Sequence, residues 1–254
     1  MKKSLIIVLI ISSCTQLFAN NLWQLSEAED VHTNGERLIH PNSFQLAHLS
    51  SADFNLFQAL VPMEEVGIFP QIELPTPNGD FVRFYIYENK TLAPALKAKY
   101  PSIRTYTLIH TKDARITGKL DFTNWGLHAM IFDRENTYFI DPFKHGSLDW
   151  YQVYFKKDYN KPLNDRMQCL FDEEETLEQN AISLNSQLPS LHHISNKTFG
   201  TDKRLYRLAL ACTMEYSAAV GGASPTKATV LSAMATTMNR VNGVFEREFA
   251  MTAQ

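Results

Sequence analysis

The side chains able to hold a metal or open a covalent reaction are few and scattered along this sequence. Eight histidines occur, His32, His40, His48, His110, His128, His145, His192 and His193. No two are four residues apart, so the spacing that sets two imidazoles on one helix face for zinc is missing, as is HExxH. His192 and His193 are neighbours, and adjacent residues diverge on any regular element, so they read as linker surface. His128 falls inside a run of strand character and reads as a hydrogen-bonded sheet residue rather than a base. Composition leaves a Ser/His/Asp or Cys/His site open, but no G-x-S-x-G turn presents a nucleophile. Gly221-Gly222 lacks the spacing of a phosphate-binding loop. The carboxylates Asp172, Glu173, Glu174 and Glu175 are oxygen ligands of the kind calcium takes. Their spacing fits no EF-hand loop, and a solvated acidic run is the simpler reading. The thiols are Cys14, Cys169 and Cys212.

Something must position whatever chemistry remains, and the bulk numbers allow a sizeable core. The chain has 254 residues, 44% of them apolar and 20% charged, the balance of a globular protein. A net charge of −3 and basic clusters no longer than Lys156-Lys157 and Lys203-Arg204 argue against nucleic acid as a partner. The opening "MKKSLIIVLIISSCTQLFANN" has two lysines, an apolar run and a small-residue region, the layout of an export signal. Cleavage between Ala19 and Asn20 is expected. Ile11-Ser12-Ser13-Cys14 offers a second reading, a bacterial lipobox that would leave Cys14 lipidated. The apolar run is too short to cross a bilayer, and no later segment reads as a transmembrane helix. Either way a location outside the cytoplasm is expected, where Cys169 and Cys212 could pair.

Residues 20–171 favour strands. Asn78-Gly79 separates two strand-like runs and tolerates the positive φ of a tight hairpin. Phe81 to Tyr87 is β-branched and aromatic, 92–99 reads as a short helix, and 102–111 resumes strand character. Residues 114–143 hold three apolar runs broken by turn signals at 124–126 and 133–136, a meander of antiparallel strands. "WYQVYFKK" at 150–157 adds another. Residues 172–202 are polar and aperiodic and read as a linker.

The end of the chain changes character. Leu205 to Thr213 predicts a buried strand, with Cys212 as core packing. Ser224 and Pro225 predict a helix start. Val230, Leu231, Met234, Met238 and Val241 recur at helical spacing. Asn242-Gly243 predicts the stop, and Val244 to Thr252 a second strand. A strand–helix–strand crossover sets its two strands parallel. Such a unit buries little alone. The fold class expected is therefore α+β, a β-rich antiparallel region followed by an incomplete α/β unit at 203–254.

"KRLYRLALACTMEYSAAVGGASPTKATVLSAMATTMNRVNGVFEREF", residues 203–249, resembles the opening of the catalytic domain of secreted bacterial reprolysin-like zinc metallopeptidases, of the metzincin clan. "GLHAMIFDRENTYFIDPF" and "YQVYFKKD" resemble the pro-region ahead of it. The resemblance implies an export signal, a pro-region, a linker and a catalytic domain that acts on peptide or protein substrates. It further implies zinc held by three histidines of HExxHxxGxxH, with the glutamate as base for a zinc-bound water. None of those residues occurs here, so no ligand or base carries over, and this chain is expected to bind no catalytic zinc. It reads as an N-terminal precursor fragment whose partner is the cognate catalytic domain. A pro-region thiolate can fill the open position of such a zinc, and Cys169 is the candidate latency thiol. Its other readings are a buried small residue or half of a bridge to Cys212. A different reading of the β-rich region is an exported binding or protease-inhibitory module, possible also as a lipoprotein through Cys14.

Overall fold

In the computed structural model the described residues are 22–26, 31, 35–50, 70–134, 136–159 and 203–254. Cys14, Ala19, Asn20, Cys169, the acidic run, His192-His193 and the 172–202 linker lie outside them. The fold is α+β and β-rich. The strands in chain order are β1 (Trp23–Ser26), β2 (Gln45–Leu49), β3 (Gln71–Pro75), β4 (Phe81–Glu88), β5 (Arg104–His110), β6 (Thr117–Thr123), β7 (Gly126–Asp133), β8 (Asn136–Pro142) and β9 (Trp150–Phe155). They form one antiparallel sheet in the order β1-β2-β9-β8-β7-β6-β5-β4-β3. A short helix, α1 (Pro94–Lys99), joins β4 to β5.

From β3 to β9 the sheet is a meander, as the turn signals predict. At the Asn78-Gly79 turn, Gly79 takes φ 85°, a conformation open to glycine. The same turn reaches the far edge of the sheet: a Cβ on Gly79 would lie 3.8 Å from both Leu25 of β1 and Gln45 of β2. The sheet therefore curls until its two ends approach. Alternate residues of the strands point inward and close on one core, with Phe84, Tyr106, Leu108, Leu120, Phe122, Leu127, Ile131, Ile140, Tyr151 and Val153 all buried. Period-two alternation leaves Lys119, Asp121, His128 and Asp141 on the outer face.

The end of the chain departs from its sequence pattern. It forms β10 (Arg204–Tyr206), α2 (Met214–Val220), α3 (Lys227–Phe249) and β11 (Met251–Ala253). β10 and β11 pair in parallel, as the crossover requires. The expected buried strand over 205–213 shrinks to three exposed residues, because β11 offers only three partners. Cys212 is exposed rather than packed. A helix begins straight after it, where Thr213 accepts a hydrogen bond from the Tyr216 amide at 3.2 Å. The cap of α3 is Thr226, two residues later than expected, in a reciprocal capping box with Thr229. Asn242-Gly243 does not stop the helix; α3 runs to Phe249 and ends at Ala250, which takes a left-handed φ of 52°.

The unit is not left alone. Helix α3 lies across the outer face of the nine-stranded sheet, over β5 and β6. Among the described residues no helix is long and apolar enough to cross a membrane.

Candidate functional site

The contact between α3 and the sheet is where charged and polar groups gather. The buried positions on the helix are Val230, Ser232, Ala235, Thr236, Asn239, Asn242 and Gly243. Most are polar or small, whereas Leu231, Met234, Met238 and Val241 of the apolar stripe are only half-buried. The cause is the surface beneath. An outer sheet face built of Lys119, Asp121 and Asp141 must be met by hydrogen-bonding groups, since burying such groups unpaired costs several kcal/mol.

Each of those groups is met. Thr236 Oγ1 donates to Asp121 Oδ1 at 2.7 Å. Asn239 Nδ2 donates to the Leu120 carbonyl at 3.0 Å, and its Oδ1 accepts from Asn89 Nδ2 at 2.9 Å. Arg240 pairs with Asp141, whose other oxygen accepts from Tyr154 OH at 2.8 Å. Burial first, and then Asp141, push the Tyr154 hydroxyl well above the ordinary range, so it stays a donor. Asn242 acts within the unit itself. Its amide bonds both backbone groups of Ala253 at 2.8 Å, imitating a strand edge and pinning β11. Gly243 permits the close approach, because a Cβ there would lie 2.9 Å from Lys119 Cγ and 3.0 Å from Phe132 Cε2.

Lys119, only 3% exposed, donates to Glu246 at 2.8 Å and to Thr107 at 2.8 Å. Lys203 reaches the other Glu246 oxygen at 3.2 Å. Burial would raise the Glu246 carboxyl, but the two lysines outweigh it and hold it below the usual glutamate range. A carboxyl depressed in the folded state adds stability above its unfolded pKa, about 4.3, and that stability is lost as pH falls through the depressed value. Acidification below about pH 4 should therefore loosen α3 from the sheet. Hydrogen exchange across α3 against pH checks this, and Glu246→Gln should flatten that part of the profile.

Beside the Arg240–Asp141 pair lies a half-open cavity of about 190 Å³, walled by Trp125, Leu38, Ile39 and Val220 and floored by His128, Thr236 and Arg240. Trp125 stands in the β6–β7 turn, and its indole N–H donates to the Thr229 carbonyl at 2.8 Å. Its ring stacks on His145 with centroids 4.0 Å apart. Burial first, and His128 second, hold the His145 imidazole below its ordinary value. Gly222 lets the α2–α3 loop pass over the same indole: a Cβ there would come within 3.1 Å of it.

His128 does sit in a strand, as the sequence suggests, but it is not satisfied there. Its Nδ1 lies 3.3 Å from Asp121 Oδ1, off the direction of a hydrogen bond, and among the described residues it has no hydrogen-bond partner. Buried Arg240 Nε also finds no hydrogen-bond partner among the described residues. Sequence reasoning missed Lys119, Asp121, Asp141, Arg240 and Asn242. Charged residues alternating into strands, with a helix carrying Asn239, Arg240 and Asn242 on one side, were the available signal.

Among the described residues no three histidine, cysteine, aspartate or glutamate side chains converge as a metal site. The zinc that the resemblance implies finds no fitting ligand set in them. Compared with family models, curated proteins and solved structures, the chain matches none.

Proposed function

We propose that the curled sheet is a holding module that seats the segment 203–254 on its outer face and can release it. One observation carries this reading: the seat is covered yet polar. An interface meant to be permanent resembles a core cut in half, while separable interfaces stay about as polar as ordinary surface. Lys119–Glu246, Arg240–Asp141 and Thr236–Asp121 cross the contact, and the apolar cluster beside them, Leu92, Ile103 and Ala235, is small.

Such a module suits the pro-region of a secreted zinc metalloendopeptidase, with 203–254 as the opening of its catalytic domain. In that reading the sheet holds α3, a helix of the catalytic domain, during export and folding. Zinc, its histidine ligands and the water that attacks the peptide bond belong to the remainder of that domain. Cys169 is the candidate latency thiol and Ala19–Asn20 the export cleavage site, with Cys14 lipidation as the alternative anchor.

Cleavage within 172–202 tests the proposal. After a single nick by a protease, the sheet and the 203–254 piece should co-elute on gel filtration at neutral pH. Mild urea should separate them before the sheet unfolds. Pieces that part at once at micromolar concentration, or that come apart only when the sheet itself melts, would rule out a releasable seat.

A further inference from the structure

We propose that the outer edge of β10 is a docking edge for an extended, acidic strand from another polypeptide. The backbone defines the edge. The Arg204 amide donates to the Ala250 carbonyl at 2.9 Å and the Leu208 amide to the Gln254 carbonyl at 2.8 Å, while the Gln254 amide donates to the Tyr206 carbonyl at 2.9 Å. Even-numbered residues therefore face β11. In a strand the next residues point the other way, so the amides and carbonyls of Leu205 and Arg207, each flanked by residues bonded to β11, face outward. Among the described residues none pairs with them.

This edge is short and its Arg204 and Arg207 turn away cationic strands, but it lacks the proline that would bar pairing altogether. No proline interrupts 203–213, and Leu205, Tyr206, Leu208 and Leu210 stand about half-exposed along it. Natural edges are blunted by proline, bulges or an inward charge. Parallel strands are moreover found covered on both faces, and this two-stranded pair is not. Main-chain groups in a row select an extended peptide above any other ligand, since only a strand answers them in register.

Charge selects the kind of strand. Lys203 is engaged by Glu246, whereas Arg204 and Arg207 are exposed and no carboxylate among the described residues pairs with them. Opposite charges across a strand pair stabilise it and like charges oppose it. A second copy of this chain is the wrong partner for that reason. Antiparallel pairing of 204–210 with itself centres on Arg207, setting the two guanidinium groups against each other.

Residue-resolved hydrogen exchange on the intact chain at low concentration tests the edge. The probe is a blocked synthetic peptide of alternating Val and Glu, with a Val and Lys peptide for comparison. The Val/Glu peptide should slow the Leu205 and Arg207 amides about tenfold, roughly 1.4 kcal/mol of binding, and the Val/Lys peptide much less. Arg207→Glu should reverse that preference. Leu205→Pro, which deletes one outward amide, should abolish the effect and leave exchange in the nine-stranded sheet unchanged. The proposal is overturned if these amides are already protected at every dilution, if their protection grows with the chain's own concentration, or if neither peptide slows them.

Discussion

Replacing Arg240 by alanine should weaken the seating of α3 by about 3 kcal/mol, the lower end of the cost of leaving one partner of a buried pair alone. Asp141 is 1% exposed, so its carboxylate would stay out of water with only the Tyr154 hydroxyl to answer it. The Arg240 side chain is 26% exposed, and water entering the adjacent cavity would relieve part of the loss, which is why the upper end is not expected. Burial by itself would lower the Arg240 pKa, but Asp141, Tyr154 and Asp121 outweigh it and raise it, so the pair is charged across the accessible pH range. Arg240→Ala should therefore show α3 amides exchanging faster by roughly a hundredfold, following RT ln of the weakened docking. Exchange in β5 and β4, farther from the pair, should barely change. A pair that adds nothing to docking would leave α3 exchange as it was. The double change Arg240→Met with Asp141→Leu recovers much of the loss if the cost lies in the orphaned charge, because an apolar pair of similar volume needs no partner.

Gly243→Val is expected to cost about 2 kcal/mol, by overpacking at the closest point between helix and sheet. Out in solvent, a glycine replaced within a helix gains up to about 1 kcal/mol, since glycine loses more backbone entropy than any other residue. The sign here depends on whether the neighbours can give way. Lys119 is tied at its far end to both Thr107 and Glu246. Phe132 lies under the Arg247 guanidinium, 5.4 Å from its centroid. Neither is free to step back, so the added atoms should lift the helix and break Lys119–Glu246 with it. Denaturant unfolding followed by tryptophan fluorescence reads the effect, because Trp125 bonds to α3 at Thr229. A stabilised Gly243→Val would mean that α3 does not press on the sheet at this point.

The β-rich half was legible because its signals are local. A meander needs only alternating apolar residues and turn chemistry at the right intervals, and Asn78-Gly79, 124–126 and 133–136 supply three of the five connections between β3 and β8. The final fifty residues were legible in element type but not in boundary. Asn242-Gly243 has the composition of a helix stop, yet Asn242 is consumed by Ala253 and Gly243 by the sheet. Both are tertiary partners that no window of sequence displays.

The helix face was the largest reversal. Val230, Leu231, Met234, Met238 and Val241 mark an apolar stripe, and a free amphipathic helix would bury it. The stripe leaves Leu231, Met234 and Met238 along a groove beside Leu92 and the α1 residue Leu96, while Ser232, Thr236, Asn239 and Gly243 meet the sheet.

Composition and periodicity by themselves determined an α+β chain with a meandering sheet, a late crossover unit and parallel closing strands. Only the tertiary structure decided which face of the last helix turns inward. Periodicity records what each residue prefers against water. The choice of face was made by Lys119, Asp121 and Asp141, three charges on the covering surface that could be buried only against groups able to bond them.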